Sequence, residues 1–419
     1  NGVRFALTTA VNTGYISGVA YVGGIVGHAI NPNNSITGIA DVVTNSGIIA
    51  ASSDYAGGIA ARFFGNISTV INQANVSGSN CVGGIAGEIW GAITGASNQK
   101  EAKEAPEEPD PALYSVTGSN LVGGIVGKII GDITNADNAS AVYCLMEYAG
   151  GIAGFADGSI INAVNSGDVF GINHIGGVAG EYISGDIEDV INTGNIYGTN
   201  FVGGIVGNID NESVLATIIE SYNTGAVVGA VDVGGLVGSV LNSSAAEIAR
   251  SFNSGDIVGE QFVGGIVGEV SITPSGSFYA NDIYNAGDIT IVNSAAANCV
   301  GGLFGKLGGA SAINLFVNVG YNVGDIVFEQ DVVAAAGAII GLFESTSGAG
   351  YDNLYYDKDF QKIIIAGVES EVGAVGAADG TRTNEDSAYG LHTYEMVNLN
   401  INGVQTNPET MLGFDFDNI

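Results

Sequence analysis

Basic residues are scarce in this 419-residue sequence: 10 lysines and arginines stand against 43 aspartates and glutamates, a formal net charge of -33. A surface so acidic repels nucleic-acid phosphates and anionic membranes, and it keeps a long particle soluble. Proline is rarer still, at 6 residues, while the apolar fraction is 46%, so the 67 glycines build neither collagen nor a disordered linker. Three cysteines, an odd number, supply no disulfide framework, and no two of them have metal-site spacing. Histidine occurs only as His28, His174 and His392, none with another four places away, which excludes a His-Glu-X-X-His zinc site. No apolar run reaches the roughly 18 residues of a membrane span, because glycine and asparagine interrupt each one. Asn1 already lies inside a repetitive pattern with no signal segment in view, so the sequence reads as a mature or trimmed piece of something larger.

What is abundant is one phrase. FVGGIVG at Phe201 returns unchanged at Phe262, and relatives of it start at Tyr21, Tyr55, Cys81, Leu121, Tyr148, His174, Asp232 and Cys299, with a degraded AAGAIIG from Ala335. These eleven copies lie roughly 26 to 40 residues apart, the period of solenoids and arrays. A second phrase precedes many of them: VNTGYISG from Val11, INTGNIYG from Ile191, YNTGAVVG from Tyr222, FNSGDIVG from Phe252 and YNAGDITI from Tyr284. In compact copies its asparagine stands eleven residues before the first glycine of the pair, as in Asn12–Gly23, Asn72–Gly83, Asn165–Gly176, Asn192–Gly203, Asn223–Gly234 and Asn253–Gly264. Constant spacing inside a variable period marks a rigid rung joined by turns that can grow.

Glycine costs about 1 kcal/mol relative to alanine in a helix interior, so phrases with several glycines and β-branched neighbours are strands, not helices. The spacing predicts an all-β, elongated parallel β-helix or β-solenoid, with short strands turning at asparagine and glycine corners. Asn12, Asn192, Asn223 and Asn253, with the pairs Gly23-Gly24, Gly203-Gly204, Gly234-Gly235 and Gly264-Gly265, are its structural repeat residues. Stacked coils place equivalent asparagines about 4.8 Å apart, close enough for a ladder of side-chain amides. The adjoining aromatics Tyr222, Phe252, Tyr284 and Tyr321 form either a packed parallel stack or a platform for sugar. Neither parity of Val-Gly-Gly-Ile-Val-Gly is polar, so this stretch is a strand covered on both sides or a bulge or corner where backbones approach closely. Cys81 and Cys299 fill the variable slot before Val-Gly-Gly and read as small buried hydrophobes.

The paired phrases resemble the GLUG repeat of bacterial surface proteins, found in filamentous-haemagglutinin-like adhesins and in regions flanking immunoglobulin A-cleaving zinc peptidases. The resemblance covers roughly residues 1–343; GLVG at Gly235 matches the repeat's namesake, and YDNLYYDKDF from Tyr351 followed by GLHTYEM from Gly390 is similar to the segment that closes such arrays. It implies a secreted or cell-surface location and an adhesive or structural role. It assigns no catalytic residue to the repeats, and the zinc of the peptidase relatives belongs to a separate domain whose motif is absent here.

A parallel β-coil can also carry carbohydrate chemistry, which needs converging carboxylates and, for a lyase, cations facing a uronate. An enzyme of that kind has two or three carboxylates from adjacent coils meeting at least one cation in a cleft. The cations Arg4, Arg62, Lys128, Arg250 and Lys306 are scattered over different repeats, and His28 and His174 occupy positions that vary between copies. No residue is assigned a catalytic role. Asp168, Asp256, Asp288 and Asp325 recur just after the asparagine corner, as a solvated acidic stripe or as weak Ca²⁺ ligands; no other cofactor is expected. The charged, proline-bearing insertion QKEAKEAPEEPDPAL at residues 99–113 is the preferred contact loop, ahead of Ser140–Glu147 and Ile291–Asn298.

The expected organisation is a repeat solenoid over 1–345 and a non-repetitive capping segment over 346–419 that protects the last coil. The expected function is a non-enzymatic secreted or cell-surface adhesin-like scaffold, a monomer offering loops and an acidic face to a glycan, a host protein or another copy. Nucleic acid is not a partner, and a membrane is reached only through an anchor outside this sequence. The alternative is a β-helical polysaccharide-active enzyme, a lyase or glycosidase.

Overall fold

A computed structural model describes residues 5–29, 36–39, 42–99, 115–211, 215–241, 245–292, 299–309, 314–329, 335–344, 349–357, 361–370, 375–379, 388–391, 400–401 and 404–405. Among them there is no helix, and strands of successive coils pair in parallel: the fold is an all-β parallel β-helix. The chain divides into two compact units, Asn1–Gly198 with Ile205–Gly207, and Thr199–Gly204 with Asn208–Ile419.

One coil of the first unit shows how the sequence folds. Ile133–Asn138 lies on a first face, Ala141–Gly150 on a second and Ala153–Asp157 on a third, before Ile160–Asn165 returns beside Ile133–Asn138. Identical side chains then stack. Ile67, Ile93, Ile133, Ile160 and Ile187 pair in register, each with no exposed surface. Burying each isoleucine stabilises the fold by about 1.5–3 kcal/mol, and the column makes one continuous seam. The second unit repeats the plan with Ser277–Asn285, Ile289–Ile291, Cys299–Gly301 and Phe304–Gly309, and there Ile257, Ile289 and Ile326 align in a buried file.

The Gly-Gly phrase is a corner. Asn80–Gly83 belongs to the second face and Ala86–Trp90 to the third, with Gly84 and Ile85 bending between them. A Cβ on Gly83 would stand 1.9 Å from the Ala86 carbonyl oxygen, and one on Gly84 would stand 2.2 Å from that of Gly124 and 2.5 Å from the Asn98 amide. Close approach of backbone and ladder therefore dictates glycine at both positions.

The slot residue ahead of the corner is left-handed. Tyr55, Cys81, Leu121, Tyr148 and His174 have φ of 52 to 65° in the first unit, and Phe201, Asp232 and Phe262 have 50 to 57° in the second. This conformation costs roughly 1–2 kcal/mol for a residue with a Cβ. A second such file bulges the first face at Thr69, Asn135, Asn162 and Asp189, with φ between 52 and 56°. The bulge explains the inward spacing Ile67, Val70, Asn72, three residues and then two, where strict alternation would give two and two.

Described strands beyond residue 345 add to the stack of the second unit. Ala349–Asp357 pairs in parallel with Asn314–Asn322, Ile363–Ile365 with Ile326–Phe328, and Val375–Asp379 with Ile340–Glu344. Ala388–Leu391 pairs in turn with Ala349–Asp357. Residues 358–360 and 392–396, within the stretch that resembles an array-closing segment, lie outside the described residues.

Candidate functional site

The asparagine ladder exists and is fully bonded. In the first unit Nδ2 of Asn12 donates to Oδ1 of Asn45 (2.7 Å), Asn45 to Asn72 (2.7 Å), Asn72 to Asn98 (2.8 Å), Asn98 to Asn138 (2.9 Å), Asn138 to Asn165 (2.8 Å) and Asn165 to Asn192 (2.7 Å). In the second unit Asn223, Asn253, Asn285 and Asn322 follow the same rule at 2.8 Å. The second amide hydrogen goes to a carbonyl two residues on, as from Asn253 to Gly255, whose own N–H donates back to Asn253 Oδ1. Asn45, Asn98, Asn138, Asn285 and Asn322 escape the eleven-residue count because additional residues stand between each of them and the next glycine of the corner phrase. The ladder is structural; it satisfies amides that burial would otherwise strand.

Beside it Tyr222, Phe252 and Tyr284 stack at 4.8 and 4.7 Å, and Tyr321 continues the register. These rings cover one another as a packed parallel stack. The aspartates after the corner are also structural. Oδ1 of Asp168 accepts the N–H of Asn195 (2.9 Å) in the first unit. In the second, Asp256 accepts that of Asp288 (3.2 Å), Asp288 that of Asp325 (2.9 Å) and Asp325 that of Lys362 (2.6 Å). One oxygen of each carboxylate is thereby engaged by the next coil, and the second oxygen takes no part in these bonds.

The chemistry gathers at the corner between second and third faces. At Tyr21 and Tyr55 the slot side chain meets the residue seven positions later, across the bend. In the first unit the Tyr21 ring stacks on His28 at 4.5 Å and on Tyr55 at 4.9 Å. The Arg62 guanidinium lies 5.3 Å from the ring centres of both Tyr55 and Phe64. Its Nε stands 2.6 Å from Glu88 Oε2, a close ion pair whose N–H does not point along the contact. Trp90 Nε1 donates to Glu88 Oε1 at 2.9 Å, and its ring stacks on Phe64 at 5.3 Å. His28, Arg62, Glu88, Lys128 and Phe155 follow one another in register, with Lys128 Nζ 5.1 Å from the Phe155 ring centre. Arg62 and Lys128, far apart in sequence, thus share one column.

In the second unit the same two columns hold a carboxyl cluster. Lys306 Nζ is 3.1 Å from Glu269 Oε1 and 3.3 Å from Glu344 Oε2, and 5.6 Å from the Phe262 ring centre. Asp232 is 4% exposed and hydrogen-bonds the Glu269 side chain, while its Oδ1 and the buried Ser239 Oγ have no hydrogen-bond partner among the described residues. Burial, then the Glu269 charge and hydrogen bond, outweigh Lys306 and push Asp232 up to about 8. Cys299, in the same file, is pushed up to about 11 by burial, and Cys81 in the first unit to about 12, so neither is a thiolate nucleophile. Cys81, Cys144 and Cys299 are buried free thiols.

The Asp232 shift has a measurable sign. The folded chain keeps a proton that the unfolded chain has released, so stability present near pH 4 is lost as pH rises towards about 8. Asp232→Asn is expected to remove this loss; guanidinium unfolding of both proteins at about pH 5 and pH 8 measures it. Equal losses in the two proteins would show that Asp232 does not hold its proton.

Of the remaining candidate residues, Arg250 pairs with Glu220 at 2.8 Å, on the bulged first face of the second unit. His174 stacks on Tyr148 at 4.7 Å, and burial lowers its pKa. Residues 100–113 of the preferred contact loop, residues 293–298, Arg4 and His392 lie outside the described residues. The segment Ser140–Glu147 is mostly strand in the first unit, with Leu145 and Met146 exposed. Repeat spacing alone does not single out the corner columns, although a signal exists: the residue directly after the Gly-Ile-Val-Gly-like phrase is polar in nine of the eleven copies, Phe155 and Leu342 being the exceptions. No family model, no curated protein and no solved structure matches the chain.

Proposed function

We propose that this chain is a non-enzymatic, secreted or cell-surface scaffold of the adhesin type, whose corner face in the first unit engages an extracellular glycan. The observation that carries this is the cluster of Tyr21, Tyr55, Arg62, Phe64 and Trp90, with Tyr21 37% and Trp90 43% exposed. Aromatic faces and edges beside fixed polar groups are what sugar recognition requires, and the surrounding β-helix holds them rigidly. The GLUG resemblance supports the location and the adhesive role. A glycan array probed with the purified chain, with and without Ca²⁺, tests it: retention on a defined glycan class, lost in Trp90→Ala, is expected. Retention unchanged by that substitution would place recognition elsewhere.

A second reading, a polysaccharide-active enzyme, is favoured by one observation. Asp232, Glu269 and Glu344 come from different coils and meet Lys306, as such an enzyme requires. Against it stands burial, since the Glu269 and Lys306 side chains are only 14% and 19% exposed. Turnover of a uronic-acid polymer, abolished in Glu269→Gln, would establish the enzyme reading.

A further inference from the structure

We propose that the corner face of the first unit binds a carboxylate-bearing glycan, a polyuronate, laid along the coils from Tyr21 to Lys128. The inference rests on the glycan-binding reading and names the ligand's chemistry. Acidic residues outnumber basic ones 43 to 10 in this sequence, yet both lysine or arginine residues described in the first unit, Arg62 and Lys128, fall in one column of this face. A neutral glycan would make no use of the charge those cations carry.

Arg62 is built to receive an anion. Two rings hold its guanidinium at 5.3 Å each, and Glu88 Oε2 stands against Nε. Its terminal amino groups make no other hydrogen bond or ion pair among the described residues, and they form the fork that grips a carboxylate through two parallel bonds. Lys128 also has no hydrogen bond or ion pair among the described residues; it rests over the Phe155 ring at 5.1 Å. Arg62 and Lys128 are two strands apart with Glu88 between them, a separation of about 10 Å at the usual strand spacing. One pyranoside of an extended chain is about as long as one strand spacing, so a chain along the coils brings every second carboxylate to a cation. Glu88 sits where the intervening sugar turns its carboxylate away, and it locks the Trp90 indole through the 2.9 Å bond. The overall charge of -33 acts at long range, but salt screens it beyond roughly 8 Å, leaving the contact groups to decide.

The test measures binding of the purified full chain by calorimetry, in about 0.1 M salt, to polygalacturonate, to its methyl ester and to a neutral galactan. Polygalacturonate is expected to bind at least about tenfold more tightly than the ester, because only the acid form makes a charge-assisted bond to the guanidinium. Arg62→Gln and Lys128→Gln are each expected to lose about tenfold for the acid form only, while Arg250→Gln in the second unit changes nothing. Thermal melting verifies that each variant is folded, and Lys128→Gln stands alone if Arg62→Gln is not. Equal affinity for acid and ester, or full affinity in Lys128→Gln, overturns the inference. So does polyglutamate binding as tightly as polygalacturonate, which would mean charge is recognised without sugar. Binding of neutral galactan alone overturns the carboxylate and leaves the glycan reading standing; binding of no glycan on the array overturns both.

Discussion

Gly235→Ala is expected to prevent folding of the second unit, with soluble yield lost or an unfolding free energy, measured in guanidinium, lowered by more than about 4 kcal/mol. The added methyl would lie 2.1 Å from the Gly265 carbonyl oxygen and 2.5 Å from the Asn253 amide carbon. Neither can move aside. Asn253 is bonded to the asparagines before and after it, and the N–H of Gly235 itself donates to Gly264. In a stacked array each coil is held only by its neighbours, so displacing one coil breaks the register of the next. Gly14→Ala is the control: a methyl there meets only Asn12 Oδ1 at 3.8 Å, an ordinary contact, and its effect should stay within about 0.5 kcal/mol. A Gly235→Ala protein with the parent midpoint would mean that the corner has room for a methyl.

Coil geometry decides which parts of the molecule its sequence discloses. Inward positions repeat the same residue type on every coil, as Ile133 over Ile93 or Asn253 over Asn223, so the β-helix, the ladder and the aromatic stack are legible from spacing alone. The left-handed slot is not legible. Tyr55, Cys81, Leu121 and His174 share no chemistry, and glycine, the usual mark of positive φ, is missing from the slot. The aspartates after the corner look like solvated charge, since nothing in Asn-Ser-Gly-Asp shows that an oxygen of Asp256 receives the N–H of the next coil. Arg62 and Lys128 look scattered for a different reason: the insertion at residues 99–113 lengthens the coil between them, and only counting from the glycine pair restores their common column.

Asn253→Ala removes a side chain that serves four bonds: to Gly255 O (2.8 Å), to Asn285 Oδ1 (2.8 Å), and from Asn223 Nδ2 (2.8 Å) and the Gly255 N–H (3.2 Å). Each partner is buried, and an unmet buried polar group costs about 1–3 kcal/mol. Two of the four retain another bond, since Asn223 still donates to Gly225 and Asn285 still accepts from the Gly287 N–H. A water entering the vacated space offsets part of the remainder, so the expected loss is about 3–4 kcal/mol. Ser254→Ala, exposed on the adjacent corner, should change stability by less than about 0.5 kcal/mol. Asn253→Asp separates bonding from size. The carboxylate matches the amide in shape but cannot donate to Gly255 O or Asn285 Oδ1, so at neutral pH it should destabilise more than alanine does. Its pKa is then raised in the fold, and stability returns as the pH falls and the carboxyl gains a proton to donate. Guanidinium unfolding of the three variants across that range measures the order; an aspartate variant as stable as the parent at pH 7 would show that the ladder's donors do not matter.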